Sequence, residues 1–232
     1  MRRHFEREIE NLKKELLGIG LRVEEAIGKS ITALFERKEK DAEEVIRQDD
    51  EIDERELRVE EECLKVLALY NPVASDLRFI IAVVKINSDL ERMGDLAVNI
   101  AERAIALAAR APLDPPEDLK RFCELARRMV KMALDSLVTA DAELALRVAR
   151  TDDEADGIHR RLADWLQEQM VEHPDRIDRL LPFLSTSRQL ERICDHATNV
   201  AEDVYYLVRG DIIRHHVKEF LRDMPPAGGG KA

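Results

Sequence analysis

Leu90-Glu91-Arg92-Met93-Gly94-Asp95-Leu96-Ala97-Val98-Asn99-Ile100-Ala101-Glu102-Arg103 returns one hundred positions later as Leu190-Glu191-Arg192-Ile193-Cys194-Asp195-His196-Ala197-Thr198-Asn199-Val200-Ala201-Glu202-Asp203. Eight of the fourteen positions are identical. Upstream, Asp41-Ala42-Glu43 recurs as Asp141-Ala142-Glu143, and Asp49-Asp50-Glu51 as Asp152-Asp153-Glu154, the latter shifted by 103. Blocks repeated in the same order mean that one supersecondary unit has been duplicated.

The unit is helical. Phe5, Ile9, Leu12, Leu16, Ile19, Val23, Ile27, Ile31 and Leu34 advance in steps of three and four, one stripe of a helix. Asp41 reads as the N-cap of a second helix to Tyr70, which Asn71-Pro72 breaks. A third helix spans about 74–110. Ala111-Pro112-Leu113-Asp114-Pro115-Pro116 is the strongest break in the chain. The pattern then restarts: a helix over 117–138, an N-cap at Asp141 opening a helix to 172, a break at His173-Pro174, and a last helix to about 208. Gly210 ends it, with a short extension to Arg222. The expected division is a first three-helix repeat at 1–111, a linker at 112–116, a second repeat at 117–223 and a disordered tail at 224–232.

Composition agrees. Aromatics make up 4% of the 232 residues, and charged residues 37%, which disfavours an all-β sandwich and suits long helices. A formal charge of −11 and no basic arm argue against a nucleic-acid partner. Cys63, Cys123 and Cys194 have neither zinc-like nor disulfide-framework spacing and read as reduced thiols in helical cores. The N-terminal residues lack the apolar stretch of a signal peptide, and the longest apolar run, Phe79 to Val84, is too short to span a bilayer. The expectation is a cytoplasmic protein whose membrane role comes through partners.

Glu91, Asp95, Asn99 and Glu102 fall within about 80° of one another on their helix, with Met93, Ala97, Ile100 and Ala104 opposite as core. Glu191, Asp195, Asn199 and Glu202 repeat the stripe. The second helix carries Asp49, Asp53, Glu56 and Glu60, and its counterpart Asp152, Asp156 and His159. One reading is a solvated face. The other is a cation site, because carboxylates four apart repel and a multivalent cation reverses that cost. All-oxygen ligation favours iron(III), manganese, magnesium or calcium, and zinc also accepts it. Such a site would be shallow and accessible. Arg92 and Arg192 are expected to form ion pairs with nearby acids, His159 and His196 to be exposed or hydrogen-bonded, His215-His216 to lie on the surface, and Trp165 to pack in the core.

The paired Leu-Glu-Arg-x-x-Asp motifs, with Asn71-Pro72-Val73-Ala74-Ser75-Asp76-Leu77-Arg78, resemble the signature of the PhoU family over the chain to about residue 222. The resemblance implies an all-α fold of two tandem three-helix bundles related by a pseudo-two-fold axis. It implies multinuclear iron or zinc clusters held by Asp49, Asp53, Glu91 and Asp95 in one half, and by Asp152, Asp156, Glu191 and Asp195 in the other. It further implies a homodimer that restrains phosphate uptake and the phosphate-starvation response, linking a phosphate ABC transporter ATPase to a membrane sensor histidine kinase. One departure is Cys194, where the family usually has glycine. No phosphate-cradling glycine loop is present, and no nucleophile constellation. Two other functions stay open: a carboxylate-bridged metalloenzyme (oxidase or phosphohydrolase), against which stands the lack of Glu-x-x-His motifs, and a metal-free helical scaffold.

Overall fold

The apolar stripe of the first forty residues closes onto the core as its spacing requires. In the computed structural model, which describes residues 2–214 and Phe220, Leu12, Leu16, Ile19, Val23, Ile27, Ile31 and Leu34 are all buried. They lie on α1 (Arg2–Glu36), followed by α2 (Glu39–Tyr70) and α3 (Ala74–Ala108). The second set is α4 (Glu117–Thr139), α5 (Ala142–Glu172) and, after a 3₁₀ turn at Pro174–Arg176, α6 (Ile177–Arg209). Each fully buried aliphatic side chain contributes about 1.5–3 kcal/mol, so long continuous stripes suffice to hold two bundles together.

Chain reversals sit where the sequence puts its breakers. Asn71 caps α2 in the left-handed conformation, its N–H donating to Leu67 O. Asp141 caps α5, its carboxylate accepting from the N–H groups of Glu143 and Leu144. Asp41 does not repeat this role. α2 begins at Glu39, and Asp41 lies inside its first turn, because the tight turn at Arg37 (φ 56°) starts the helix early. α3 ends at Ala108, slightly short of the expected limit. Trp165 is exposed on α5 rather than packed in the core, whose α5 positions are filled by Leu162 and Leu166. The expected extension to Arg222, His215-His216, the tail from Met224 and the end of the second repeat lie outside the described residues.

Each bundle is a triangle, with α2 packed on α1 and α3, and α5 on α4 and α6. The triangles join through α3 against α6 and α1 against α4. Both pairs are antiparallel. Arg78, near the start of α3, stacks on Tyr206 near the end of α6 (5.6 Å), while Arg110, just past α3, pairs with Asp178 at the start of α6 (2.7 Å). Across this seam Asp89 meets Asn199 and Lys85 meets Asp203. In repeat-equivalent terms these pair 89 with 99 and 85 with 103, both centred on 94. The pseudo-two-fold axis therefore passes between Gly94 and Cys194, normal to the plane of α3 and α6. A rotation about that axis keeps equivalent features on the same side of the molecule.

Candidate functional site

The two acidic stripes meet as the repeat implies. In the first half, Asp49 and Asp53 of α2 face Glu91 and Asp95 of α3. The Asp49 carboxyl is pushed up to about 6, first by lost hydration and then by Asp53, Asp95 and Glu91. Asp53 and Glu91 are raised for the same reasons. In the second half, Asp195 is likewise pushed up to about 6, by lost hydration and then by Glu191, Asp152 and Asp156. Each group of four therefore behaves as one electrostatic unit, and the two-fold places both on the same face.

These clusters are shallower at one edge than the other. Asp53, Asp95 and Asp195 are exposed, whereas Asp49, Glu91, Asp152, Asp156 and Glu191 are half-buried between helices. Close approach of α2 to α3 explains this in the first half, where a Cβ built on Gly94 would lie 3.3 Å from Asp49 Oδ1 and 3.3 Å from Ile52 Cδ1. Among the described residues, no three Asp, Glu, His or Cys side chains converge on a single point. The donors surround a patch rather than a closed cage.

Several single-residue expectations resolve. His159 Nδ1 is 2.8 Å from Ser187 Oγ, and His196 Nδ1 is 2.7 Å from Asp89 Oδ1, so both histidines are hydrogen-bonded. Neither Arg92 nor Arg192 forms an ion pair among the described residues. Both are exposed, and Arg92 only tempers the rise at Glu91. Glu202 departs most. Glu102 is exposed as expected, but Glu202 is 6% exposed, at the end of α6 beside which the following segment buries Ile213.

A model of the PhoU domain matches residues 16–104 and again residues 119–204, three-quarters of the chain in two copies. The chain belongs to the PhoU family. Among its PhoU relatives, one from Aquifex aeolicus, named a phosphate-specific transport system accessory protein PhoU homolog, is 42% identical over 92% of this chain and 97% of its own length. The crystal structure of PhoU from Pseudomonas aeruginosa superposes with a TM-score of 0.86 at 39% identity, covering 89% of this chain and all of that one (100%). That of the phosphate transport system regulatory protein PhoU from Streptococcus pneumoniae superposes with a TM-score of 0.82 at 30% identity, covering 90% and 98%. The all-α PhoU architecture of two tandem three-helix bundles is thus shown.

Cys194, the departure from the usual PhoU glycine, points inward and is 1% exposed. Burial first, and then Asp152, Asp195, Glu191 and Asp156, hold its thiol well above its usual value. It lies beneath the second cluster as a neutral, packed side chain. What sequence reading missed in this PhoU chain is a third polar group, inside the seam. Lys85 and Asp89 of α3 meet His196, Asn199 and Asp203 of α6, with Glu202 and Arg214 beside them. A signal was present. The aligned repeats differ in polarity or charge at Lys85/Ser185, Asp89/Gln189, Leu96/His196 and Arg103/Asp203, and Lys85 and Asp89 of α3 gather with His196 and Asp203 of α6 at one end of the seam.

Proposed function

We propose that this chain is a regulator of phosphate homeostasis. It restrains phosphate uptake and the phosphate-starvation response by coupling the ATPase of a phosphate ABC transporter to a membrane sensor histidine kinase, and it acts as an adaptor rather than a catalyst. The observation carrying this is membership of the PhoU family over both repeats, joined to relatives named as accessory or regulatory proteins of phosphate transport. The fold supports an adaptor: its polar features lie on helix faces, and none of the described helices is long and apolar enough to cross a membrane. Deleting the gene in its native organism, in phosphate-replete medium, is expected to give high constitutive alkaline phosphatase that the intact gene lowers again. Unchanged output would sink the regulatory reading.

Within that role the two carboxylate clusters are metal sites, taking iron or zinc in the first instance. Asp49, Asp53, Glu91 and Asp95 would hold the metal in one half, and Asp152, Asp156, Glu191 and Asp195 in the other. The donor set fits: all eight donors are carboxylates, which suit hard cations and are accepted by zinc, and in each set the neighbouring acids raise one member, Asp49 or Asp195, a crowding that a cation would relieve. Bound metal would supply positive charge that draws the exposed Asp53, Asp95 and Asp195 inward over the half-buried members. Metal analysis of gently purified protein, with thermal shifts on adding iron, zinc, manganese or magnesium, tests this. Absence of both signals would leave the clusters as repulsive surface.

A further inference from the structure

The chain does not leave the bundle when α6 ends. Gly210 terminates the helix with φ 86° and its N–H donating to Tyr206 O. A side chain there would strain the backbone and strike Arg78, since a built Cβ falls 2.5 Å from Arg78 Nη1. The chain then turns so that Ile213 is 3% exposed. Arg214 follows, with Nη1 3.3 Å from Asp203 Oδ2 and Nη2 3.8 Å from Asp89 Oδ2. One guanidinium therefore touches a carboxylate of each repeat.

Its setting makes that contact consequential. Asp89, Glu202 and Asp203 are all buried, three carboxylates at one end of the α3–α6 seam. Asp89 is hydrogen-bonded to His196 and accepts from Asn199 Nδ2. Asp203 accepts from Lys85 at 3.3 Å. Glu202 has no hydrogen bond or ion pair among the described residues. Burial pushes its carboxyl up to about 7, and Arg214 is the group that opposes the rise. Remove Arg214 and the three acids keep only the hydrogen bonds of Asp89 with His196 and Asn199 and the contact of Lys85 with Asp203, in a medium where unpaired charge is costly. The other end of the seam has no such demand, because the two-fold puts Ser185, Gln189, Leu96 and Arg103 in the corresponding places.

We infer that residues 210–214 form a latch closing one end of the seam between the repeats, with Arg214 as the counter-ion that Asp89 and Asp203 share. Lifting the segment loosens that end and leaves the opposite end closed.

Hydrogen exchange on the full chain tests this by comparing wild type with Arg214→Gln and Arg214→Lys. With Gln, amides within 81–89 and 199–207 are expected to exchange about tenfold faster or more, while those within 99–107 and 185–190 stay within about twofold. Lys keeps the charge and is expected to recover most of the protection. No change with Gln, equal acceleration at both ends, or Lys behaving like Gln would each overturn the latch. If Arg214→Gln proves too unstable to handle, the double variant with Asp203→Asn removes a carboxylate along with its counter-ion. It is expected to show smaller, still one-ended acceleration, and acceleration at both ends would again refute the idea.

Discussion

Asp89 Oδ1 and His196 Nδ1 lie 2.7 Å apart across the seam between the repeats, although 107 positions separate them in sequence. Because Asp89 also accepts from Asn199 and lies beside Arg214, one carboxylate organises donors from α6 and from the segment beyond it. Asp89→Ala leaves the half-buried His196 and Asn199 without their partner, removes one of the two carboxylates beside Arg214, and is expected to destabilise the fold by about 1–3 kcal/mol. Urea unfolding measures this, and a variant within about 0.5 kcal/mol of wild type would show the contact to be incidental.

The pH dependence of the metal-free protein follows from three raised carboxyls. Asp49 and Asp195 go from 3.8 to about 6, and Glu202 from 4.5 to about 7. Each holds its proton to a higher pH folded than unfolded. Between the two values unfolding releases protons, so stability falls as pH rises through that window and levels off above it. Tm at pH 5 is expected to exceed Tm at pH 7.5 by a few degrees, roughly. A flat or rising profile would contradict the burial and crowding assigned to these groups.

Neutralising the repulsion should separate stability from binding. Asp53→Asn with Asp95→Asn is expected to raise the Tm of the metal-free protein by roughly a degree or two, while abolishing any stabilisation by added iron or zinc at that cluster. Calorimetry with and without metal reads both quantities. A double variant that is less stable without metal would mean that the acids make favourable contacts beyond mutual repulsion.

The three buried thiols Cys63, Cys123 and Cys194 have their ionisation suppressed. A thiolate-specific reagent is expected to modify none of them in the native protein within minutes and all three after denaturation. Rapid native labelling at Cys194 would show that the second cluster opens to solvent.

Much of this could be read from the chain because it is written in periodicity. The stripe from Leu12 to Leu34, the break at Asn71-Pro72 and the recurrence of Leu-Glu-Arg-x-x-Asp each report on a single helix or on one repeat against the other. The two carboxylate clusters were legible for the same reason, since spacing alone puts Glu91 and Asp95 on one face. The errors lie where a second element decides. Trp165 has core-like spacing on its own helix, but α4 and α6 do not cover it. Asp41 copies Asp141 in sequence and differs in role because of the turn before it. Glu202 is buried although its repeat counterpart Glu102 is exposed, a difference the shared motif does not announce. The seam group depends on α3 and α6 running antiparallel, a tertiary fact absent from either stretch alone.

Ala140 tests local strain. It caps α4 in the left-handed region at φ 50°, with its N–H on Ser136 O. A Cβ is unfavourable there, so Ala140→Gly is expected to stabilise the protein by about 0.5–1 kcal/mol. Destabilisation in thermal or chemical unfolding would mean that the alanine methyl contributes packing worth more than the strain.

The axis between Gly94 and Cys194 bears on ancestry. Had two identical three-helix chains met at this seam, every substitution in one would have appeared in the other, and a charged end could exist only in duplicate. Here one end carries Lys85, Asp89 and Asp203 and the other Ser185, Gln189 and Arg103. Copies joined in one polypeptide are free of that constraint, because each half varies by itself. The polar end of the seam is thus a feature of the joined pair that no assembly of identical halves could hold singly.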